Sequence, residues 1–414
     1  MKTYPEYKPS GIDWLGDIPE NWEIVKLAWL ASVQTGTTPS TTEDKYWTNA
    51  NKDWFTPSDF DGLELKDSKR KVSQKAYDDI ACRIFPPYTI YLVGIGATLG
   101  KIAFCRTEAS ANQQINAITF NKDIFPIYGA YYLTSINNVI KSASNAATLP
   151  ILNQEQTKSL QIIVPPLSEQ QKIADFLDAK TANIDALIGE KRAQVEELRA
   201  YRASLITETV TRGLNPDAPL RPSGIDWLGD IPEHWISTKA KYYIEIKSGD
   251  PISKDDINPQ GSVPIFGGGE IIGFTIESNI PAQTIVIGRV GARCGCVRLT
   301  DVEAWATDNA LVVSTTQNPQ FLTRIFEAAN LNRLNESNAQ PLITATKIKD
   351  LGIPLPPHAE QQAIAEFLDE KTEKIDALIS ELEKQLEELA EYKKAVISEA
   401  VTGKVDVRDW KPQN

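Results

Sequence analysis

Three arginines, Arg289, Arg293 and Arg298, fall around the glycine-rich turn that runs from Gly288 to Gly295. A guanidinium is a planar five-donor fork that matches the paired acceptors of guanine or the oxygens of a phosphate. Lys69-Arg70-Lys71 with Lys75 is the densest basic run of the chain and has the composition of a phosphate clamp. Lys101 follows a second glycine cluster, Gly94 to Gly100, and Gln113-Gln114 brings two amides of the kind that bond an adenine edge. Taken singly, each of these residues is equally well explained as solvated surface. Taken together they make nucleic acid the ligand to consider, with the arginine trio in the lead.

Enzymatic readings of other short strings are weaker. Gly94-Ile95-Gly96-Ala97-Thr98-Leu99-Gly100 has the wrong spacing for a phosphate cradle, and a strand-like run rather than a helix follows it. Tight strand connections, in which glycine supplies positive φ, explain both glycine clusters. Phe85-Pro86-Pro87-Tyr88 is similar to the proline-proline-aromatic loop of amino-methyltransferases, but phenylalanine cannot accept a hydrogen bond from a target amine. Pro57-Ser58-Asp59 with Glu64-Leu65-Lys66 is loosely similar to a nuclease metal site, and the second half of the chain has no counterpart. His234 and His358 stand opposite Asn21 and Leu167 in the repeat described below, so neither belongs to a shared design. The four cysteines fit reduced, mostly buried thiols, since Cys294-x-Cys296 is tighter than zinc spacing and no histidine lies near. No catalytic residue, metal set or cofactor is expected.

These residues are carried by one unit written twice. Pro9 to Trp22 returns at Pro222 to Trp235 with 13 of 14 residues identical, and Pro165 to Leu214 returns at Pro356 to Val405 with 27 of 50 identical. The offsets are 213 and 191, so the second copy is 22 residues shorter between its two blocks. Constant loop, variable domain and constant helix follow one another in each copy. Duplication with unlike inserts implies a pseudo-symmetric body that reads two different things. At 414 residues the chain exceeds what one core usually holds. No apolar run approaches the roughly 18 residues of a membrane span, and the N-terminal residues do not resemble a signal peptide. A cytoplasmic protein is expected.

Net charge is −12, yet Glu23 to Leu160 holds 14 Lys/Arg against 13 Asp/Glu and Ile236 to Gly352 holds 11 against 12. The acid is concentrated on the constant blocks: Pro356 to Val405 alone has 6 basic against 12 acidic residues. Both variable domains are rich in short β-branched and aromatic runs punctuated by Gly, Pro and Asn, which predicts strands. In the second constant block Leu368, Ile375, Leu382, Leu389 and Val396 recur every seven residues, with Leu378, Ile379 and Leu386 widening the stripe. The first block matches it with Leu177, Ile184, Lys191, Leu198 and Leu205. Two such seams predict helices of about 40 residues, or about 60 Å, that pair antiparallel within the chain. Ser168 and Gln171 have capping-box spacing for the first helix, and Gly213 is its expected stop.

The layout resembles the specificity subunit of type I restriction–modification systems over essentially its whole length. The residues that carry the resemblance are Pro222-Ser223-Gly224-Ile225-Asp226-Trp227-Leu228-Gly229 and its earlier copy, and Pro165-Pro166-Leu167-Ser168-Glu169-Gln170-Gln171 with Pro356-Pro357-His358-Ala359-Glu360-Gln361-Gln362. The domain openings also match: Thr35-Gly36-Thr37-Thr38-Pro39-Ser40 with Asp53-Trp54-Phe55, and Lys247-Ser248-Gly249-Asp250 with Val263-Pro264-Ile265-Phe266-Gly267-Gly268. The resemblance implies an α+β chain with two α/β target recognition domains separated by a long antiparallel two-helix coiled coil. The expected divisions are 1–164 (with constant loop 9–22), spacer helix 165–214, 215–355 (with constant loop 222–235), and spacer helix with tail 356–414. It also implies a non-catalytic reader of double-stranded DNA, one half of a split asymmetric site per domain. Two methyltransferase subunits would dock on the scaffold and restriction subunits would join them. Two other readings of the residues stay open: a DNA-modifying enzyme with its own site near Phe85 or Glu64, and a coiled-coil scaffold bearing ligand-binding β domains.

Overall fold

The computed structural model describes residues 2–144, 150–258, 260–335 and 341–412. It divides into two compact units, Met1–Glu190 with Gln385–Asn414, and Lys191–Lys384. The first unit is built on a four-stranded antiparallel sheet of β1 (Ala31–Thr35), β2 (Ile90–Val93), β3 (Ile102–Phe104) and β4 (Ile115–Phe120), in the order β1-β4-β2-β3. All four residues of β2 are buried, because both faces of the sheet are covered. Alternation divides them: Ile90 and Leu92 join the core beneath helix α1 (Pro126–Ser135), while Tyr91 and Val93 face a second cluster around Phe55 and Phe85. A smaller sheet lies at that second face, where Lys52–Phe55 pairs antiparallel with Lys71–Val72 and parallel with Ser110–Ala111. Helix α2 (Leu167–Arg212) begins in this unit.

The second unit repeats the plan with β5 (Ile244–Ser248), β6 (Ile285–Gly288), β7 (Val297–Leu299) and β8 (Ala310–Thr315), in the order β5-β8-β6-β7. Its small sheet pairs Val263–Gly267 antiparallel with Glu270–Thr275 and parallel with Trp305–Ala306. Helix α3 (Pro319–Ala328) takes the place of α1, and α4 (His358–Val401) begins in this unit. No helix of the described residues is long and apolar enough to cross a membrane.

The two long helices pair inside each unit. In the first, Ile173 and Leu177 share a core with Val396, Ile397 and Ala400, and Asp185 meets Lys393 at 2.7 Å. In the second, Arg199 meets Glu383 at 2.7 Å and Arg202 meets Asp376 at 2.9 Å. Rising numbers face falling ones, so the pairing is antiparallel. With 46 and 44 residues the helices are longer than the periodicity predicts, about 65–70 Å at 1.5 Å per residue. Leu177, Ile184, Leu368, Ile375 and Val396 are buried, and Lys191, Leu198, Leu205, Leu382 and Leu389 are half-buried. Leu378 is a correction: it is 56% exposed, while Ile379 is buried. A seam with spacing 375, 379, 382, 386 selects Ile379 and leaves its neighbour about 100° round the helix.

The capping-box reading of Ser168 is also corrected. The helix starts earlier, at Leu167, and its first N–H groups, of Glu169 and Gln170, donate to Pro166 O at 2.8 and 3.0 Å. Glu360 and Gln361 do the same to Pro357 O at 2.9 and 3.0 Å. Proline just outside the first turn sets φ for helix entry without needing an N–H of its own. The glutamine that follows does more. Gln170 is buried; its carbonyl accepts from Phe125 N at 2.8 Å, and its amide donates to Asp123 O and Pro165 O at 2.9 Å. Gln361 repeats this with Asn318 N at 3.1 Å, Gln317 Oε1 at 2.9 Å and Pro356 O at 3.0 Å. Each helix ends on a glycine with positive φ, Gly213 at +76° and Gly403 at +73°, where an added Cβ would stand 3.1 Å from buried Trp235 and Trp22 respectively.

Replacing Gln361 with alanine should leave the Asn318 N–H and the Pro356 carbonyl buried without partners, a loss of about 1–3 kcal/mol. A denaturant midpoint for the variant equal to that of the parent would show that the clamp carries no stability.

Candidate nucleic-acid interface

In the first unit, Asp59 shapes the basic run. Its buried carboxylate accepts from Thr56 N at 2.7 Å and from Lys69 N at 2.9 Å, closing a turn between Thr56 and the run. Lys69 Nζ donates to Ser58 O. The Arg70 guanidinium stands 3.9 Å over the Trp47 ring and 5.5 Å from that of Trp54. Both indoles are fixed, Trp47 Nε1 donating to Ser40 O at 2.9 Å and Trp54 Nε1 to Thr37 O at 3.0 Å. Lys71 lies 2.6 Å from Asp67 and 3.4 Å from Asp53, and Lys75 lies 2.7 Å from Asp79. Hydrogen bonding to these carboxylates raises the pKa of both ammoniums above the ordinary lysine value. Lys71 and Lys75 are thus locally neutralised, whereas Lys69 and Arg70 have no acidic partner among the described residues. The run is one basic string in sequence and two electrostatic classes in space.

The first glycine cluster forms the turn between β2 and β3, with Gly96 and Gly100 at φ +97° and +90°. Beside it is a groove lined by Thr35, Gln113, Gln114, Asn116, Asn153 and Gln154. Asn116 is buried and fully used: it accepts from Thr35 Oγ1 at 2.9 Å and donates to Leu152 O at 2.9 Å and Thr157 Oγ1 at 3.1 Å. Gln114 Oε1 accepts from Asn112 Nδ2 at 3.0 Å, and Gln113 Oε1 from the Thr38 hydroxyl. These bonds set both side chains in place at the groove. Lys101 is directed elsewhere, donating to Phe60 O at 3.0 Å.

The arginines of the second unit take different acceptors, those of Arg293 and Arg298 being adjacent residues. Arg289 donates to Ser248 Oγ at 3.2 Å, Arg293 pairs with Glu270, and Arg298 donates to Gly269 O at 3.3 Å. Arg83 was not singled out by the sequence, yet it donates to Thr35 O at 2.5 Å and its backbone N–H to Thr37 Oγ1 at 2.8 Å. It stands as an exposed cation near the first groove. Nothing local in its spacing marks it; strand β1 is what gathers it in. Trp47 and Trp54, which present Arg70, likewise lie well before it in sequence, outside the basic run.

The strings with enzymatic resemblance have structural work. Phe85 is buried with its ring edge-on to Tyr91 at 6.0 Å, and Glu64 pairs with Arg106 at 2.8 Å. His234 Nε2 lies 2.9 Å from Glu360, the acid beside the Gln361 clamp. Cys82, Cys105 and Cys294 are buried, and burial pushes the Cys82 and Cys294 thiols up from the ordinary value. Among the described residues no group of His, Cys, Asp and Glu is placed to hold a metal ion.

A family model described as "Type I restriction modification DNA specificity domain" matches the chain twice, over residues 19–197 and 232–388. The specificity subunit of type I restriction enzyme MjaVIII from Methanocaldococcus jannaschii is 24% identical over 425 residues, covering 95% of each chain. The EcoprrI specificity subunit from Escherichia coli is 26% identical over 384 residues, covering 87% of this chain and 90% of that one. A solved structure titled for complex assembly and conformational transition of the type I R-M system shares the fold, with a TM-score of 0.69 at 14% identity over 93% of this chain and 98% of that one. The two family matches fall on the two repeated units and span more than half of the sequence, so the chain belongs to the type I restriction–modification DNA specificity family.

Proposed function

We propose that this chain is the DNA-reading subunit of a type I restriction–modification complex, with each unit reading one half of a split, asymmetric site in duplex DNA. The observation that carries the reading is the pairing of one sheet topology, repeated in both units, with unlike side chains at the turns. Amides gather at the β2–β3 turn of the first unit, and arginines at the β6–β7 turn of the second. Lys69, Arg70, Gln113, Gln114, Arg289 and Arg298 are the proposed DNA contacts; Lys71, Lys75 and Arg293 contribute less because acids already offset them, and Lys101 less because its ammonium donates to Phe60 O. The chain performs no chemistry itself. Two modification subunits supply adenine methylation, restriction subunits supply ATP-dependent cutting, and all of them act in the cytoplasm. The acidic long helices suit protein partners better than phosphate, and their length sets the gap between the half-sites.

Exchanging residues 236–352 for the corresponding segment of a relative should change one half of the methylated sequence and leave the other intact. Sequencing of methylated adenines reads this directly, and a change in both halves would mean joint reading. Removing seven residues from one long helix shortens it by roughly 10 Å. The spacing tolerated between half-sites should then shift or the activity disappear; unchanged spacing would rule out the helices as a ruler.

Arg70→Ala should weaken binding of the complex to matched and mismatched DNA alike and reduce the salt slope by about one unit. Lys71→Ala, which removes an already paired charge, should change the slope less. Equal slopes for parent and Arg70→Ala, measured over several salt concentrations, would remove Arg70 from the phosphate contacts.

A further inference from the structure

The turns after β2 and β6 are the same turn, residue for residue. Gly94 N donates to Gln114 O at 2.8 Å and Gly94 O accepts from Leu152 N at 2.8 Å. In the second unit Arg289 N donates to Asn309 O at 3.0 Å and Arg289 O accepts from Ile343 N at 2.9 Å. Two residues on, Gly96 N donates to Pro150 O and Gly291 N to Pro341 O, at 3.3 and 3.2 Å. Strand register agrees, because Ile115 faces Val93 as Ala310 faces Gly288. Arg289 therefore stands where the first unit has Gly94. The next position along the central strand changes with it, Asn116 in the first unit and Leu311 in the second.

The exchange is constrained by space. A Cβ on Gly94 would stand 2.9 Å from Leu152 O and 3.0 Å from Asn116 Nδ2, so the first unit keeps this place bare and fills the surroundings with amides. With Leu311 in place of Asn116, the second unit has no side-chain amide there, and a long side chain leaves from the same backbone position. Its guanidinium makes one hydrogen bond among the described residues, to Ser248 Oγ, and Ser248 holds the register position of Thr35 in the amide groove. Arg293 has Glu270 opposite it; Arg289 has no carboxylate partner among the described residues. A half-exposed guanidinium that, among the described residues, leaves most of its five donors unused and meets no carboxylate fits the N7 and O6 acceptor pair of guanine.

Resting on the DNA-reading function above, we propose that Arg289 reads a guanine of the second half-site, from the same structural place that the first unit gives to its amide groove. The corresponding backbone position of the first unit, Gly94, carries no side chain, and the guanidinium beside Thr35 there comes instead from Arg83, on a different segment. The two halves of the target differ there because one backbone position is arginine in one copy and glycine in the other.

The test uses the full complex with its modification subunits and reads methylated adenines over a library of sites. Arg289→Ala should lower discrimination at a single guanine of the second half-site on the order of 10- to 100-fold, with the first half unaltered. Arg289→Lys, which keeps a cation and a donor but loses the fork, should retain part of that preference. If Arg289→Ala lowers the melting temperature of the complex, Arg289→Lys decides on the same readout. Full stringency at every guanine of the second half in both variants would overturn the assignment, as would relaxation at a position that is not guanine. A parent complex that methylates no split site would instead sink the DNA-reading function itself.

Discussion

Two buried amides, Gln170 and Gln361, hold the repeated architecture together. Each bonds a backbone N–H just ahead of the short helix of its unit and a proline carbonyl at the entry of its long helix. A carboxamide suits the task because it donates and accepts at once without carrying charge into the core. A second contact repeats the attachment with different chemistry. Tyr131 OH donates to Asp178 Oδ1 at 2.8 Å and lies 3.1 Å from Thr181 Oγ1; Arg324, at the matching place on α3, donates to Asp369 at 2.8 Å and Thr372 at 3.1 Å. The helix side of each contact is unchanged between copies, and the domain side is free to differ. Burial lifts the Asp178 carboxyl above its ordinary value, and the Tyr131 hydrogen bond and the Arg106 charge offset only part of that.

That division recurs throughout. The tryptophans and the proline entries are duplicated, and each helix ends on a positive-φ glycine one position apart in the repeat, because these residues serve backbone geometry, which both copies share. The turns between the central strands are duplicated only in their hydrogen bonds. Their side chains have diverged to amides in one unit and to arginines in the other. Backbone bonds hold a turn in place whatever side chain it carries, so a surface built on such turns can change its chemistry without refolding the sheet. This is the property a reader of varied sequences needs, and it agrees with a scaffold whose charge is concentrated on the helices rather than on the reading surfaces.

The repeat, the strand-rich inserts, the antiparallel helices and the family were legible in the sequence, because periodicity and identity are local or copied properties. Heptad spacing placed Leu368, Ile375 and Val396 in the seam, but it could not separate Leu378 from Ile379, since adjacent residues both fit a broad stripe. The candidate site was legible only as residue types. Lys69-Arg70-Lys71 is a single basic run in one dimension. Tertiary structure divides it, through Asp53 and Asp67 on one member and Trp47 and Trp54 on another, none of which spacing could assign. The arginine trio is likewise one cluster in sequence, and the fold gives its members three different acceptors, a hydroxyl, a carboxylate and a backbone carbonyl. Sequence determined the scaffold because its constraints lie along the chain. Tertiary structure decided which charges remain unopposed, because that depends on which distant acid or ring the fold brings within a few ångströms.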